Sequence, residues 1–159
     1  MQQLNLLQQT LAMGILKDIK QTKPISNKQK VLINIYYTYN WLRDQQSPLF
    51  KKHQLQQQHF NVLKIIKGRS PDPICPGEIK EVMLDKGRDL TRLLDKLERM
   101  KLVSRQLSKS NRRKVEVCIT EKGIELTKVM ELELFSAVKD IDITEEDAGI
   151  LSDLLDKMR

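Results

Sequence analysis

Along most of the chain, apolar residues recur every three or four positions, which is the period of an amphipathic helix. This pattern predicts helices over residues 4–20, 27–46, 56–67, 76–84, 88–100, 121–138 and 145–158. In the helix over 88–100 four leucines and Met100 form one stripe opposite a charged face. Residues 102–107 and 115–119 alternate every second position instead and predict two strands. We therefore expect a mainly α fold with one small β-hairpin.

Local signals place several ends of these helices. Three N-terminal signals are present, namely a capping box of Ser26 with Gln29 and the N-cap residues Thr120 and Thr144. Pro48 is expected to end the second helix shortly after residue 46, because proline removes a helical hydrogen bond. Gly68 is expected to end the third helix.

The helix over 27–46 is apolar around most of its circumference. Leu32, Ile35 and Tyr36 lie on one stripe, whereas Val31 and Trp41 lie largely outside it. A helix of this kind must be buried on more than one side. In so short a chain the second side indicates another subunit. The predicted organisation is therefore dimerisation helices in 1–46 and 120–159 on either side of a lobe formed by 54–119.

The chain has a net charge of +7, and its positive charge is concentrated in one segment. Residues 86–114 hold 11 lysines and arginines against three acidic residues, a net charge of +8. Residues 115–159 hold five basic and 12 acidic residues, a net charge of −7. A localised positive segment is typical of a surface that binds a polyanion, although an ordinary solvated surface would have the same charge.

The basic segment has the order of a helix-turn-helix followed by a hairpin. The helix over 76–84, the turn at 85–87 and the basic helix over 88–100 precede the two strands and their cationic connector, residues 108–114. The second helix of such a pair fits the major groove of DNA, and an arginine at the hairpin tip can enter the minor groove. This order predicts a winged helix-turn-helix lobe whose wing is residues 102–119.

Five segments together are more specific than any of them alone. They are QHFNVL at 58–63, EIKEVML at 78–84, TRLLDKLERMKLV at 91–103, NRR at 111–113 and ITEKG at 119–123. With these segments, residues 26–138 resemble the MarR (multiple antibiotic resistance regulator) family of bacterial transcription factors. The resemblance implies a homodimer whose terminal helices interleave. It also implies that two winged lobes bind successive major grooves of a pseudo-palindromic site.

Two positions depart from the family pattern. The family's wing has Asp, any residue and Arg, with the arginine seven positions before the threonine that opens the next helix. Here Arg113 stands seven before Thr120, but Asn111 replaces the aspartate and cannot form its ion pair. Arg88 and Asp89 stand where many relatives have small hydroxyl residues, which should alter the base preference.

The recognition helix over 88–100 and the wing carry the predicted DNA contacts. The predicted DNA-binding residues are Arg88, Asp89, Thr91, Arg92, Lys96, Lys109, Asn111, Arg112 and Arg113. We expect base discrimination from four residues of the recognition helix, namely Arg88, Asp89, Thr91 and Arg92. Arg113 is expected to probe the minor groove. Asp95 is expected to pair with Arg99 on the helix surface, because the two are four positions apart.

The function favoured by this interpretation is a DNA-binding transcriptional regulator. Repression by occluding a promoter is the expected direction, although an activator would have the same sequence features. The alternative from another class is a winged-helix protein-interaction module whose basic hairpin binds an acidic partner. Arg88, Thr91 and Arg92 on one face, together with Arg113 on the wing, favour the regulator. A mobility-shift assay at two salt concentrations would separate the two.

Tyr36, Tyr37 and Trp41 have two interpretations. Packing in the core and the dimer interface is one. The other comes from the resemblance, which implies a pocket for a small aromatic or phenolic effector between the dimer helices and the lobe. Residues His53 and His59 are expected to be structural or surface residues. Cys75 and Cys118 fit no metal spacing, and the sequence leaves open whether either senses oxidants.

Other classes of protein lack support in the sequence. No phosphate-binding glycine loop, nucleophile motif or acid pair is visible, so we expect no enzyme, no metal and no cofactor. No apolar run approaches 18 residues, and the first residues do not form a secretory signal. We expect a cytoplasmic protein with no membrane partner.

Overall fold

The computed structural model describes residues 14–108, 111, 114–139 and 141–159. Its helices and strands are α1 Ile15–Asp18, α2 Asn27–Lys52, α3 Gln57–Arg69, α4 Pro76–Val82, α5 Leu90–Arg99, β1 Val103–Leu107, β2 Val115–Ile119, α6 Glu121–Val138 and α7 Glu145–Asp156. The chain divides into two compact units, Met1–Pro48 and Leu49–Arg159. The expected mainly α fold with one hairpin is confirmed. Most of the helix predicted over 4–20 lies outside the described residues.

The three predicted N-terminal signals are all present. Ser26 and Gln29 form the reciprocal bonds of a capping box, with the Ser26 amide donating to Oε1 of Gln29 over 2.9 Å. The side chain of Thr120 accepts the Gly123 amide at 3.1 Å, and that of Thr144 accepts the Asp147 amide at 3.1 Å. These bonds start α2, α6 and α7 where the sequence predicts.

Two predicted helix ends are wrong. The second helix continues through Pro48 to Lys52, because Phe50 is buried and its ring lies 6.2 Å from that of Phe60. This packing outweighs the helical hydrogen bond that proline removes. Gly68 lies inside α3 rather than after it. The cap of α3, Ser70, has an ordinary φ of −56°, so the end of this helix requires no glycine.

The core of the second unit is built around α3. Val62, Leu63 and Ile66 of this helix are almost fully buried. The remaining buried apolar residues of this core are Phe50, Leu55, Ile74, Ile79, Met83, Leu90, Leu93, Leu94, Leu97, Leu102, Val103, Val117 and Met130. Helices α4 and α5 therefore share one core with the hairpin and α6, which fixes their relative positions.

The hairpin is antiparallel and is extended by one bridge. Its register pairs Val103 with Ile119 at the base and Leu107 with Val115 toward the tip. Ile74 bridges to Val117 through two backbone hydrogen bonds of 3.0 and 2.9 Å. This bridge attaches the hairpin to the residues just before α4.

Two acidic residues of α6 form ion pairs with other parts of the second unit. The Nζ atoms of Lys64 and Lys67 on α3 each lie 2.7 Å from a carboxylate oxygen of Glu131. The hydrogen bonds from these lysines hold the pKa of the Glu131 carboxyl below its usual value. Glu133 receives Lys52 and also Nε2 of His53 at 2.7 Å, and its pKa is lowered for the same reason. No helix in the described part of the chain is long and apolar enough to cross a membrane.

Candidate nucleic-acid interface

Helix α5 buries one face and presents the other to solvent. Its leucines at 90, 93, 94 and 97 pack into the core, while Thr91, Arg92 and Asp95 are exposed. Helix α4 precedes it and is joined to it by residues 83–89. The pair has the arrangement of a helix-turn-helix, in which the buried stripe of the second helix sets the direction of its polar face.

The start of the predicted recognition helix needs a correction. The helix was expected over 88–100, but it spans Leu90–Arg99, so Arg88 and Asp89 lie in the turn before it. Asp89 is the N-cap, and its Oδ1 accepts the Arg92 amide at 3.3 Å. Aspartate is among the best N-cap residues, which explains why the helix starts at Leu90, two residues later than expected. Asp89 is therefore a capping residue in this structure.

Both arginines at the start of α5 are paired with an aspartate. Nε of Arg88 lies 2.8 Å from Oδ2 of Asp85, and Nε of Arg92 lies 3.3 Å from Oδ2 of Asp89. The Arg88 hydrogen bond is the largest cause that holds the pKa of the Asp85 carboxyl below its usual value. The Arg92 side chain remains 87% exposed. The pairs therefore orient the two guanidinium groups without withdrawing them from solvent.

Lys96 lies at the edge of the polar face rather than at its centre. It is half-buried, and its charge contributes to the low pKa of His59 on α3. Burial is the larger cause, and the pKa of His59 falls from 6.5 to about 4. His59 is buried, and its Nδ1 accepts the Gln56 amide at 3.1 Å, which completes the capping box of α3. The expected structural role of His59 is consistent with these bonds.

The wing is attached to α5 by an ion pair that the sequence did not predict. Arg105 of β1 places Nη1 2.7 Å from Oδ1 of Asp95 and 3.7 Å from Oε2 of Glu98, and its Nη2 donates to the Thr91 carbonyl at 3.3 Å. Asp95 was expected to pair with Arg99, and this prediction is wrong. The Arg105 side chain is only 24% exposed, so its guanidinium is better placed between hairpin and helix than that of exposed Arg99.

The tip of the wing is described only in part. The predicted contacts Lys109, Arg112 and Arg113 lie outside the described residues. At the base of the tip, the Ser108 amide donates to the Lys114 carbonyl at 2.9 Å and the Lys114 amide to the Asn111 carbonyl at 2.8 Å. Asn111 thus takes part in the turn through its backbone.

Known proteins share this arrangement. No protein-family model matches the sequence. The chain is 31% identical over 97 residues to the HTH-type transcriptional regulator MhqR of Bacillus subtilis. The match covers 61% of this chain and 66% of that regulator, slightly less than two thirds of its length. The crystal structure of a MarR transcription factor from Planctomyces limnophilus is 26% identical and superposes with a TM-score of 0.63 over 86% of this chain and 95% of that one.

The chain is similar in sequence and fold to MarR-family transcription regulators. A further structure, the S. aureus MepR–DNA complex, superposes with a TM-score of 0.71 over 85% of this chain and 97% of that one. At 16% identity it shows the fold alone. The structure of another protein with this fold has therefore been solved as a complex with DNA.

The segment 120–123 binds the C-terminal end of α5. Thr120 donates through Oγ1 to the Lys101 carbonyl at 2.8 Å and through its amide to the Leu102 carbonyl at 3.0 Å. Lys122 donates to the Met100 carbonyl at 2.9 Å. Three carbonyls that follow α5 are thereby satisfied by the first turn of α6. The recognition helix and α6 are consequently coupled through direct backbone contact.

Gly123 makes this contact possible. A Cβ at this position would lie 2.1 Å from the Leu102 carbonyl oxygen and 2.8 Å from Cγ1 of Ile119. Lys101, directly before Leu102, adopts a left-handed φ of 60°, which ends α5 in a Schellman motif. The glycine was recognised in the sequence only as part of the family pattern, and no local signal points to Lys101.

The predicted effector residues lie on α2. Tyr36, Tyr37 and Trp41 are all exposed in the single chain. Cys75 caps α4 and Cys118 lies on β2, and both are half-buried free thiols. Within the part of the chain that the structure describes, no cluster of three His, Cys, Asp or Glu side chains could hold a metal ion.

Proposed function

We propose that this protein is a sequence-specific DNA-binding transcription regulator that binds a pseudo-palindromic operator as a homodimer and represses by occluding a promoter. The observation that carries the proposal is the polar face of α5. Its leucine face is buried in the core, while Arg88 and Arg92 project beside a basic hairpin held by Arg105. A helix presented in this way fits the major groove.

The comparisons support the DNA-binding part of the proposal. The relatives named above are transcription regulators, and the MepR structure of the same fold is a complex with DNA. Lysines and arginines of the wing and of α5 would neutralise phosphates and make the affinity dependent on salt. Lys109, Arg112 and Arg113 are the proposed phosphate and minor-groove contacts of the wing.

Selection of bound sequences from a random duplex pool tests the proposal. We expect an enriched inverted repeat whose half-sites are about one helical turn apart, near 10 base pairs. Arg92→Ala should weaken operator binding by about 5- to 150-fold, because a bidentate base contact is worth about 1–3 kcal/mol. The matched control is Arg159→Ala on the segment after α7, which removes another exposed, aspartate-paired arginine and should leave binding unchanged. A pool with no enriched sequence would refute sequence-specific regulation.

The dimer is supported by apolar residues that the single chain leaves in solvent. On α6, Leu132 is 72% and Phe135 is 69% exposed. On α7, Ile150, Leu151 and Leu154 are each at least half exposed. Exposed apolar faces of this extent are typical of surfaces covered by another protein chain. Sedimentation velocity should give twice the mass of the chain, and a concentration-independent monomer would contradict the proposal.

A small aromatic or phenolic effector is the proposed signal. Tyr36, Tyr37 and Trp41 supply stacking surfaces on α2, and Trp41 is the single tryptophan of the chain. A ligand releases DNA only if it binds one spacing of the two lobes more tightly than the other. Titration with phenolic compounds should quench Trp41 fluorescence and lower operator affinity over the same concentrations. Quenching without any loss of DNA affinity would contradict this role.

A further inference from the structure

The turn into α5 contains the same short motif twice. Asp85 stands three positions before Arg88, and Asp89 stands three positions before Arg92. In each pair, Oδ1 of the aspartate accepts a backbone amide, from Gly87 at 3.1 Å or from Arg92 at 3.3 Å. Oδ2 then lies against Nε of the arginine, at 2.8 and 3.3 Å respectively. Each carboxylate is therefore fixed by the backbone and in turn orients one guanidinium.

The contact through Nε leaves the outer edge of each guanidinium available. Within the described residues, the two Nη groups of Arg88 and Arg92 donate no hydrogen bond to the protein. Two parallel N–H donors match O6 and N7 of guanine in the major groove, whereas adenine offers a donor in place of one acceptor. An arginine held at Nε therefore presents a guanine-reading edge before DNA arrives.

Arg88 is held at its main chain as well as at its side chain. Lys80 of α4 donates to the Arg88 carbonyl. A Cβ at Gly87 would lie 3.3 Å from Oδ1 of Asp85, so the small residue allows the carboxylate to sit close to the turn. These contacts join α4, the turn and Arg88, which limits the positions that the guanidinium can take.

The aspartates also have an electrostatic consequence. Each adds a negative charge beside the surface proposed to face DNA, and this charge repels phosphates. Residues placed only to increase DNA affinity would not be acidic. A residue that lowers the affinity for every DNA sequence can still increase specificity, if it lowers the affinity for the wrong sequences more.

We propose that Asp85 and Asp89 are specificity-determining positioning residues, which orient Arg88 and Arg92 to read one guanine each in every half-site. This inference rests on the proposed DNA-binding function. It adds that the base recognised is guanine and that Asp85 and Asp89 contribute to its selection. The acids act through the arginines and need not contact DNA. Their contribution lies in the ratio of affinities for guanine and other bases.

The test compares Asp85→Asn and Asp89→Asn with the wild-type protein. Asparagine keeps the oxygen that accepts the backbone amide, and it is as good an N-cap as aspartate. It loses the charge and the second acceptor, which orient the arginine. The matched control is Asp156→Asn, because Asp156 at the end of α7 pairs with Arg159 at the same sequence spacing and the variant has the same change in net charge.

Random-duplex selection with the wild type should yield guanine at two positions of each half-site. Titrations should then show that Asp85→Asn lowers the preference for guanine over adenine at one position by roughly three- to tenfold, the factor for ordering one flexible side chain. Asp89→Asn should do so at the other position. Affinity for random duplex should stay equal or rise in both variants, and Asp156→Asn should retain the wild-type preference.

Three results would overturn the inference. The wild type could select an operator without guanine at such positions. The asparagine variants could keep the full preference for guanine while binding all duplexes more tightly. The aspartates would then only neutralise the charge of the arginines. Affinity and thermal stability could instead fall together, which would make the acids structural only. Wild-type protein that prefers no sequence would overturn the proposed function itself, so the two failures are distinguishable.

Discussion

Gly123→Ala tests the contact between the recognition helix and α6. The added methyl group would lie 2.1 Å from the Leu102 carbonyl oxygen, where ordinary contact begins at 3.4 Å. The two backbones would have to separate by more than 1 Å. Neither obstacle is the flexible end of a long side chain, because the oxygen belongs to the backbone and Cγ1 of Ile119 packs beside it.

The cost follows from the contacts that separation would break. Overpacking a tight site costs about 1–3 kcal/mol. The hydrogen bonds from Thr120 to the Lys101 and Leu102 carbonyls would lengthen, and each contributes about 1 kcal/mol. Alanine is favoured over glycine in a helix by about 1 kcal/mol, which offsets part of this loss. We expect a decrease of about 2–4 kcal/mol in the free energy of unfolding.

Urea unfolding at a fixed protein concentration measures the effect, because a dimer's stability depends on concentration. The matched control is Gly149→Ala in α7, where a Cβ would meet nothing within 4 Å. That variant should be more stable by about 0.5–1 kcal/mol. If Gly123→Ala unfolds at the same urea concentration as the wild type or above it, the close approach of α6 to Leu102 is refuted.

Three further perturbations test other parts of the structure. Arg105→Ala should lower the free energy of unfolding by only about 1 kcal/mol, because the acidic partners of Arg105 are partly solvated. It should also weaken operator binding several-fold. Unchanged binding in a titration would show that the wing is held in place without Arg105. His59→Asn should flatten the dependence of unfolding free energy on pH. The low folded pKa of about 4 means that the wild type loses up to about 3 kcal/mol as pH falls from 6.5 to 4, because only the unfolded chain gains a proton there; equal slopes for both proteins would contradict this. Leu132→Glu combined with Phe135→Glu should yield monomers in sedimentation velocity, and a dimer of undiminished affinity would exclude this face of α6 from the interface.

Sequence reasoning succeeded where a structure is determined by neighbouring residues. The caps at Ser26, Thr120 and Thr144 were predictable because each bonds to an amide three positions away. The strands of the wing were predictable because their alternation has one buried face. The leucine stripe of α5 likewise predicted which face is buried.

It failed where distant residues decide the outcome. The helix through Pro48 depends on burial of Phe50 beside Phe60. The pairing of Asp95 depends on Arg105, which a different element brings into range. In both cases a local rule competed with a tertiary contact, and the tertiary contact prevailed.

The site was predictable in part for the same reason. Arg88 and Arg92 were identified from the order of elements, but the positions of their partners needed the geometry of the turn. Asp89 was taken as a base contact because the helix was expected to start at Arg88. Its role as N-cap became evident only once the first turn was seen to begin at Leu90.

Equilibrium titration of the wild-type protein with its selected operator and with a scrambled duplex of equal length tests sequence-specific recognition most directly. At physiological salt the operator should bind at least about 10³-fold more tightly, the lower end of the range for specific regulators, and both affinities should fall as salt rises. Equal affinity for the two duplexes, or no binding to either duplex at low salt, would contradict sequence-specific recognition of DNA by this protein.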